Sequence, residues 1–224
     1  MIDWNQIDLL FLDLDGTLLD LHFDNHFWLE HVPNRYAATK GLTLGAAKRE
    51  LYARYKEIEG TLEWYCVDYW SRELGLDIAL LKEEVGTLIA VHPHVVEFLD
   101  AVRGLGRRVV LVTNAHHKSL MLKLDRTRLG RHLDRVICSH DLGLPKEDPD
   151  FWTHLHQIEP FDRDRTLFVD DSAAVLRSAR AYGIRWLFRV VRPDTQGPLR
   201  QGEGFSAIRG FSEILPDALT YPRS

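Results

Sequence analysis

The chain has 224 residues, 45% hydrophobic and 27% charged, the balance of a protein that buries a core rather than of a disordered or fibrous one. Its formal net charge of -5, from 28 Lys and Arg against 33 Asp and Glu, argues against a partner with a polyanionic backbone, so no nucleic acid polymer is expected. Two cysteines, Cys66 and Cys138, exclude a disulfide framework or a multi-cysteine zinc site within one chain and point to a reducing compartment. The stretch Met1 to Asp8 carries no basic residue, and the apolar run behind it is interrupted by Asp13 and Asp15, unlike a secretory signal. No stretch approaches the roughly 18 apolar residues that cross a bilayer, so a cytoplasmic protein without a membrane partner is expected. The length allows one good-sized domain, or one domain with a large insertion.

In chain order, short apolar runs occur at Leu9 to Leu14, Val109 to Val112, Val136 to Cys138, Thr166 to Val169 and Ile184 to Val191. Nearly continuous Val, Ile and Leu over so few residues is the pattern of parallel strands buried on both faces. Between them lie helical patterns. Val95, Phe98, Leu99 and Val102 follow Pro93; Leu120, Leu122 and Leu124 follow His116; Ala173 to Ala181 is closed by Gly183. Alternating strands and helices predict an α/β fold, a doubly wound parallel sheet of Rossmann-like type.

From Asp20 to Val91 the sequence holds helical patterns but no buried strand, too long a stretch for one crossover or a structureless loop. It is expected to form an inserted helical domain, residues 20–91, on a core made of 1–19 and 92–224. Aromatic residues collect there: Trp28, Trp64, Trp70, Tyr36, Tyr52, Tyr55, Tyr65 and Tyr69. Arg192 to Gly210, with Pro193, Gly197, Pro198, Gly202, Gly204 and Gly210, reads as an irregular surface loop before a short terminal helix.

Chemistry gathers at the strand ends, where an open parallel sheet binds its ligands. Asp13-Leu14-Asp15-Gly16-Thr17 ends the first run, and two carboxylates beside a Gly turn suit a hard cation such as Mg2+. Thr113-Asn114 ends the second, Lys146 precedes a helix, and Asp170-Asp171-Ser172 ends the fourth. Each has a plain structural reading: a solvated turn, a strand-end hydroxyl, a surface lysine, a helix N-cap. Together at one sheet edge they form a set for phosphoryl transfer.

These four motifs, in this order, resemble the haloacid dehalogenase superfamily, whose members are mostly phosphatases, and the insertion after the first motif resembles the helical cap of its first subclass. Where many relatives carry Lys-Pro-Asp-Pro, this chain has Lys146-Glu147-Asp148-Pro149. Relatives that displace halide lack the second aspartate of the first motif; Asp15 therefore favours phosphate esters, whose leaving group needs a proton. The resemblance implies Asp13 as nucleophile, Asp15 as acid and then base, and Thr113, Asn114 and Lys146 as phosphate ligands. It implies Mg2+ held by Asp13, the carbonyl of Asp15 and the Asp170–Asp171 pair, with Asp171 ranked above Asp170.

Leu18 to Trp28, Thr61 to Trp70 and Thr113-Asn114-Ala115-His116 resemble one branch of that superfamily, the bacterial GMP/IMP nucleotidases, which implies a purine nucleotide as the small-molecule substrate. The aromatic residues permit stacking on a base, although each ring has an alternative place in the segment's own core. His22, Asp24, Asn25 and His26, which follow the first motif, are candidates for polar contacts. His116 and His117 either approach a leaving group or start a helix, and these histidine spacings match no zinc pattern. The alternative readings are a phosphatase or phosphomutase of small sugar phosphates on the same core, and a silent binding module, which would require a lost motif residue.

Overall fold

The computed structural model describes residues 2–216. Its strands are β1 (Leu9–Leu12), β2 (Arg108–Thr113), β3 (Arg135–Cys138), β4 (Thr166–Asp170), β5 (Trp186–Val190) and β6 (Ser206–Ile208). They form one sheet, parallel throughout, in the order β3-β2-β1-β4-β5-β6. Successive residues feed opposite faces. Leu10, Leu12, Val109, Leu111, Leu167 and Val169 share one core with Val95, Phe98, Leu99 and Val102. Phe11, Val110, Val112 and Phe168 share the other with Phe151, Trp152, Leu155 and Leu176. Burial on both faces is why these strands read as apolar runs rather than as alternation.

Helices fill the long connection between β1 and β2. Helix α1 (His22–His26) runs through a wider π turn at Phe27–His31 into α2 (Val32–Lys40), followed by α3 (Leu44–Ile58), α4 (Leu62–Tyr65), α5 (Val67–Leu74) and α6 (Ile78–Glu84). Their boundaries follow from local chemistry: Thr43 Oγ1 accepts from Ala46 N, and Gly41 and Gly75 take the left-handed backbone that ends α2 and α5. Phe27, Val32, Leu51, Trp70, Leu74 and Ile78 form a separate apolar cluster in this segment. The segment leaves and rejoins the sheet side by side, with Asp20 N donating to Ala90 O (2.9 Å) and His92 N to Leu18 O (3.0 Å).

The later helices are α7 (Val95–Gly104), α8 (His117–Thr127), α9 (Ser139–Leu142), α10 (Pro149–Ile158) and α11 (Ala173–Tyr182). Asp148 caps α10 with Pro149 in its first turn, and Ser172 caps α11, which Gly183 closes at a φ of 105°. No helix among the described residues is long and apolar enough to cross a membrane.

The stretch from Arg192 to Gly210 is not an irregular surface loop throughout. It contains β6, paired in parallel with β5, and buries Phe205 and Ile208. Three residues in a Gly- and Pro-rich setting leave no period to read, so the strand is set by the edge it pairs with. The loop's first half packs inward as well: Leu21 N donates to Pro193 O (2.8 Å) and Thr195 N to Asp20 Oδ1 (3.1 Å). Where a short terminal helix was expected, the described residues hold a 3-10 turn at Phe211–Ile214; residues from 217 on lie outside the described residues.

Candidate active site

The strand order reverses between β1 and β4, which opens a crevice at their carboxyl ends. Asp13 follows β1, Asp170 ends β4, Thr113 ends β2, and Lys146 arrives from the loop between α9 and α10. The ammonium of Lys146 donates to Asp13 Oδ1 (2.5 Å), Asp170 Oδ2 (2.7 Å) and Val112 O (3.1 Å), using all three of its protons. Carboxylate oxygens of Asp13, Asp170 and Asp171 lie within 4.8 Å of one another, and all three residues are buried. Arg200, from the stretch before β6, donates to Asp171 Oδ2 (2.7 Å).

Negative charge exceeds what these cations offset. Burial, with Asp170 and Asp15 adding to it against Lys146, pushes the carboxyl of Asp13 up to about 7. Burial and then Asp13 push Asp171 up to about 7, and burial and Asp171 push Asp170 up to about 6. Burial works against the charge of Lys146, but Asp13 and Asp170 outweigh it and hold the ammonium above its ordinary value. Three converging carboxylates with an excess of negative charge form a donor set that fits a hard divalent cation. Gly16 permits the close approach: its φ is 84°, and a Cβ there would lie 2.8 Å from Asp171 Cγ.

Thr113 Oγ1 accepts from Ala115 N (3.0 Å). The side chain of Asn114 serves the lysine loop, since its Oδ1 accepts from Lys146 N (3.0 Å) and its Nδ2 donates to Glu147 Oε2 (2.9 Å). The other oxygen of Glu147 accepts from Tyr65 OH of α4 (2.6 Å). Without a second proline, Lys146-Glu147-Asp148-Pro149 still turns, through Asp148 N donating to Pro145 O (3.0 Å).

Asp15 belongs to a charge network that the sequence motifs do not announce. Lys123 Nζ of α8 lies 2.7 Å from Asp15 Oδ1 and 2.7 Å from Asp24 Oδ2, and Lys82 Nζ of α6 donates to Asp24 Oδ1 (2.9 Å). Burial raises the carboxyl of Asp15, outweighing Lys123. Burial opposes the charge of Asp24 too, yet Lys123 and Lys82 together hold it down at about 2. Both lysines are buried. The available signal was position: Lys123 shares the buried face of α8 with Ser119 and Leu120, and Lys82 that of α6 with Ile78 and Leu81.

The other polar candidates divide. Asp24 joins the network, whereas Asn25 donates to Asp194 Oδ2 (2.7 Å) and His22 lies 3.7 Å from Asp194. His26 stands beside His22, ring centroids 6.2 Å apart. His116 starts α8, its Nδ1 accepting from Lys118 N (3.3 Å). His117 pairs with Asp141 (2.9 Å) and comes with it and Cys138 into a group whose ligand atoms lie within 4.8 Å, a grouping that spacing along the chain does not reveal.

One cavity of about 340 Å³ joins Asp13, Asp15, Thr113 and Lys146 to a wall of rings from Trp28, Tyr55, Trp64, Tyr65 and Trp70. Trp70 also belongs to the segment's core, 1% exposed and edge-on to Tyr55 at 5.1 Å, so core packing and cavity lining are not exclusive roles. Tyr69 packs against Trp70 at 5.3 Å and does not line the cavity.

A family model of haloacid dehalogenase-like hydrolases matches residues 7–183. GMP/IMP nucleotidase YrfG of Escherichia coli (strain K12) is 38% identical over 218 residues, which cover 97% of this chain and 98% of that protein. A phosphoglycolate phosphatase of Pseudomonas syringae pv. tomato is 25% identical over 216 residues, 94% of this chain and 79% of the relative. The crystal structure of a HAD phosphatase from Thermococcus onnurineus shares the fold with a TM-score of 0.79 at 20% identity, covering 93% of this chain and 96% of that one. On the family match over most of its length and the near-full-length identity, the chain belongs to the haloacid dehalogenase-like hydrolases.

Proposed function

We propose that the protein is a divalent-metal-dependent phosphomonoester hydrolase that acts on purine 5′-nucleotides such as GMP and IMP. One observation carries the reading: a single cavity brackets the acids and lysine on one side and an aromatic wall on the other. A phosphate needs the first and a flat base the second, where stacking is worth about 1 to 3 kcal/mol per base. The 38% identity to a GMP/IMP nucleotidase supports the same substrate class.

Asp13 is the nucleophile. With Oδ1 bound by Lys146, attack falls to Oδ2, which bonds to phosphorus as the ester oxygen leaves, giving an aspartyl-phosphate. Asp15, whose carboxyl burial holds above its ordinary value, is the acid that gives a proton to the departing alkoxide. Its carboxylate then takes a proton from water as the water oxygen bonds to phosphorus and releases Asp13. Thr113 and the main chain at Asn114 hold the phosphate oxygens, and Lys146 joins them by turning to the phosphate the proton it gives Val112 O. Mg2+, held by Asp13, Asp171 and the carbonyl of Asp15 beside Asp170, would offset the charge of the transferring phosphoryl group. Asp171 keeps its place over Asp170 because both oxygens of Asp170 are engaged, by Lys146 and by Ser172 N (2.8 Å).

Residues 20–91 are proposed to act as a cap over a core of 1–19 and 92–224, hinged at the two adjacent connections near Leu18 to Asp20 and Val91 to Pro93. The separate apolar cluster of the helical segment supports that division. The test is Mg2+-dependent phosphate release across GMP, IMP, AMP, UMP and several sugar phosphates. GMP and IMP are expected to lead; equal rates on all would overturn the purine assignment, and a lead by sugar phosphates would favour the alternative on the same core.

A further inference from the structure

Glu147 stands where the superfamily pattern carries proline, a residue without a polar side chain. Its two carboxylate oxygens are divided between two partners far apart in sequence, Tyr65 OH at 2.6 Å and Asn114 Nδ2 at 2.9 Å. The orientation of the Asn114 amide is set by chemistry. The backbone N–H of Lys146 can only donate, so it must face Oδ1, and the carboxylate can only accept, so it must face Nδ2. Tyr65 is therefore joined to the backbone of Lys146 through a chain of donors and acceptors with no free choice of direction. Lys146 in turn holds Asp13 and Asp170.

Tyr65 ends α4 in the helical segment, whereas Glu147, Asn114 and Lys146 stand on the sheet side. Other polar links cross here as well: Lys118 Nζ donates to Asp68 (2.5 Å), and Lys123 reaches Asp24. Neither of those touches the loop that carries Lys146. Burial and then the Glu147 charge hold the Tyr65 phenol well above its ordinary value, so it remains a donor at any working pH.

We propose that Tyr65 is a positioning residue: by hydrogen bonding to Glu147 it orients Asn114 and fixes the backbone of Lys146, so that the phosphate-binding lysine is set in place only when the helical segment is docked. The inference rests on the phosphohydrolase reading above. Tyr65 and Glu147 need not touch substrate; they act through Lys146.

The test is a double-mutant cycle of Tyr65→Phe and Glu147→Gln on the full chain, with GMP and Mg2+, measuring kcat, KM and the denaturant midpoint of each variant. Phenylalanine removes the donor alone, and glutamine cannot accept at both ends. Each single change is expected to lower kcat by about tenfold, as for a lost hydrogen bond to a charged group. KM should move less and the midpoint little, and the double variant should be no worse than the poorer single by more than about twofold. Wild-type kcat in Tyr65→Phe, losses that multiply in the double variant, or a fallen midpoint with kcat unchanged would each overturn the proposal. Asp13→Asn in the same assay separates the two readings. If it keeps wild-type turnover, the phosphohydrolase mechanism fails; if it is inactive while Tyr65→Phe is normal, only the positioning role fails.

Discussion

Gly16 connects the first motif to the fourth through space alone. Its positive φ and the 2.8 Å that would separate a Cβ from Asp171 Cγ mean that even one methyl group must displace the carboxylate proposed to hold the metal. Gly16→Ala is expected to reduce turnover by on the order of tenfold to a hundredfold, since about 1 Å of misplacement in a reacting site costs up to roughly 10²-fold. The added backbone strain should cost no more than about 1 to 3 kcal/mol of stability. Steady-state kinetics with Mg2+ titration check this, and full activity at ordinary Mg2+ would show that the Gly16 contact does not set Asp171. Asp13, Thr113 and Asp170 were legible because each closes or adjoins an apolar run, and Lys146 because it precedes a helix at its place in the order of motifs. Arg200 was not, because what makes it matter is the fold of the preceding loop back onto Asp171.

At the scale of elements, helices α6 and α8 carry the feature hardest to read from composition. A lysine in an amphipathic helix normally faces water, yet Lys82 and Lys123 occupy the inward face and meet Asp24 and Asp15. Removing one partner of a buried ion pair leaves a charge uncompensated, which costs about 3 to 5 kcal/mol. Lys123→Met, similar in length and apolar, is expected to lose an amount in that range in denaturant unfolding, because Asp15 and Asp24 would then share Lys82 alone. A loss below about 1 kcal/mol would mean that the network is not a structural charge balance. The sequence reading named neither lysine: it followed Leu120, Leu122 and Leu124 in α8, whereas the buried face is Ser119, Leu120 and Lys123, and the partners of both lysines lie on other elements. Strand β6 shows the same limit: its three residues gain their structure from β5, not from their own pattern.

For the whole molecule, sheet and insertion were legible because both are statements about length. Runs of three to eight residues cannot be membrane helices, and a connection of some seventy residues cannot be a simple crossover. What length could not reveal is how the inserted helices meet the sheet: Tyr65 on Glu147, Asp24 on Lys123, and the rings that close one cavity above Asp13. The meeting supplies a polar end for phosphate and a flat end for a base. It also gives the net charge of -5 a local meaning, since the site concentrates three buried carboxylates, the set proposed to hold the metal.

Transfer of phosphate from a purine nucleotide to Asp13 is the step on which the proposed chemistry stands. Mixing the protein with Mg2+ and GMP labelled in its phosphate, quenching in acid within a turnover and mapping the label by peptide mass tests it directly. Label is predicted on the peptide containing Asp13, with no label in Asp13→Asn and loss of phosphate release in that variant. Release of phosphate at wild-type rate by Asp13→Asn, or turnover of GMP with no labelled protein at any quench time, would contradict it.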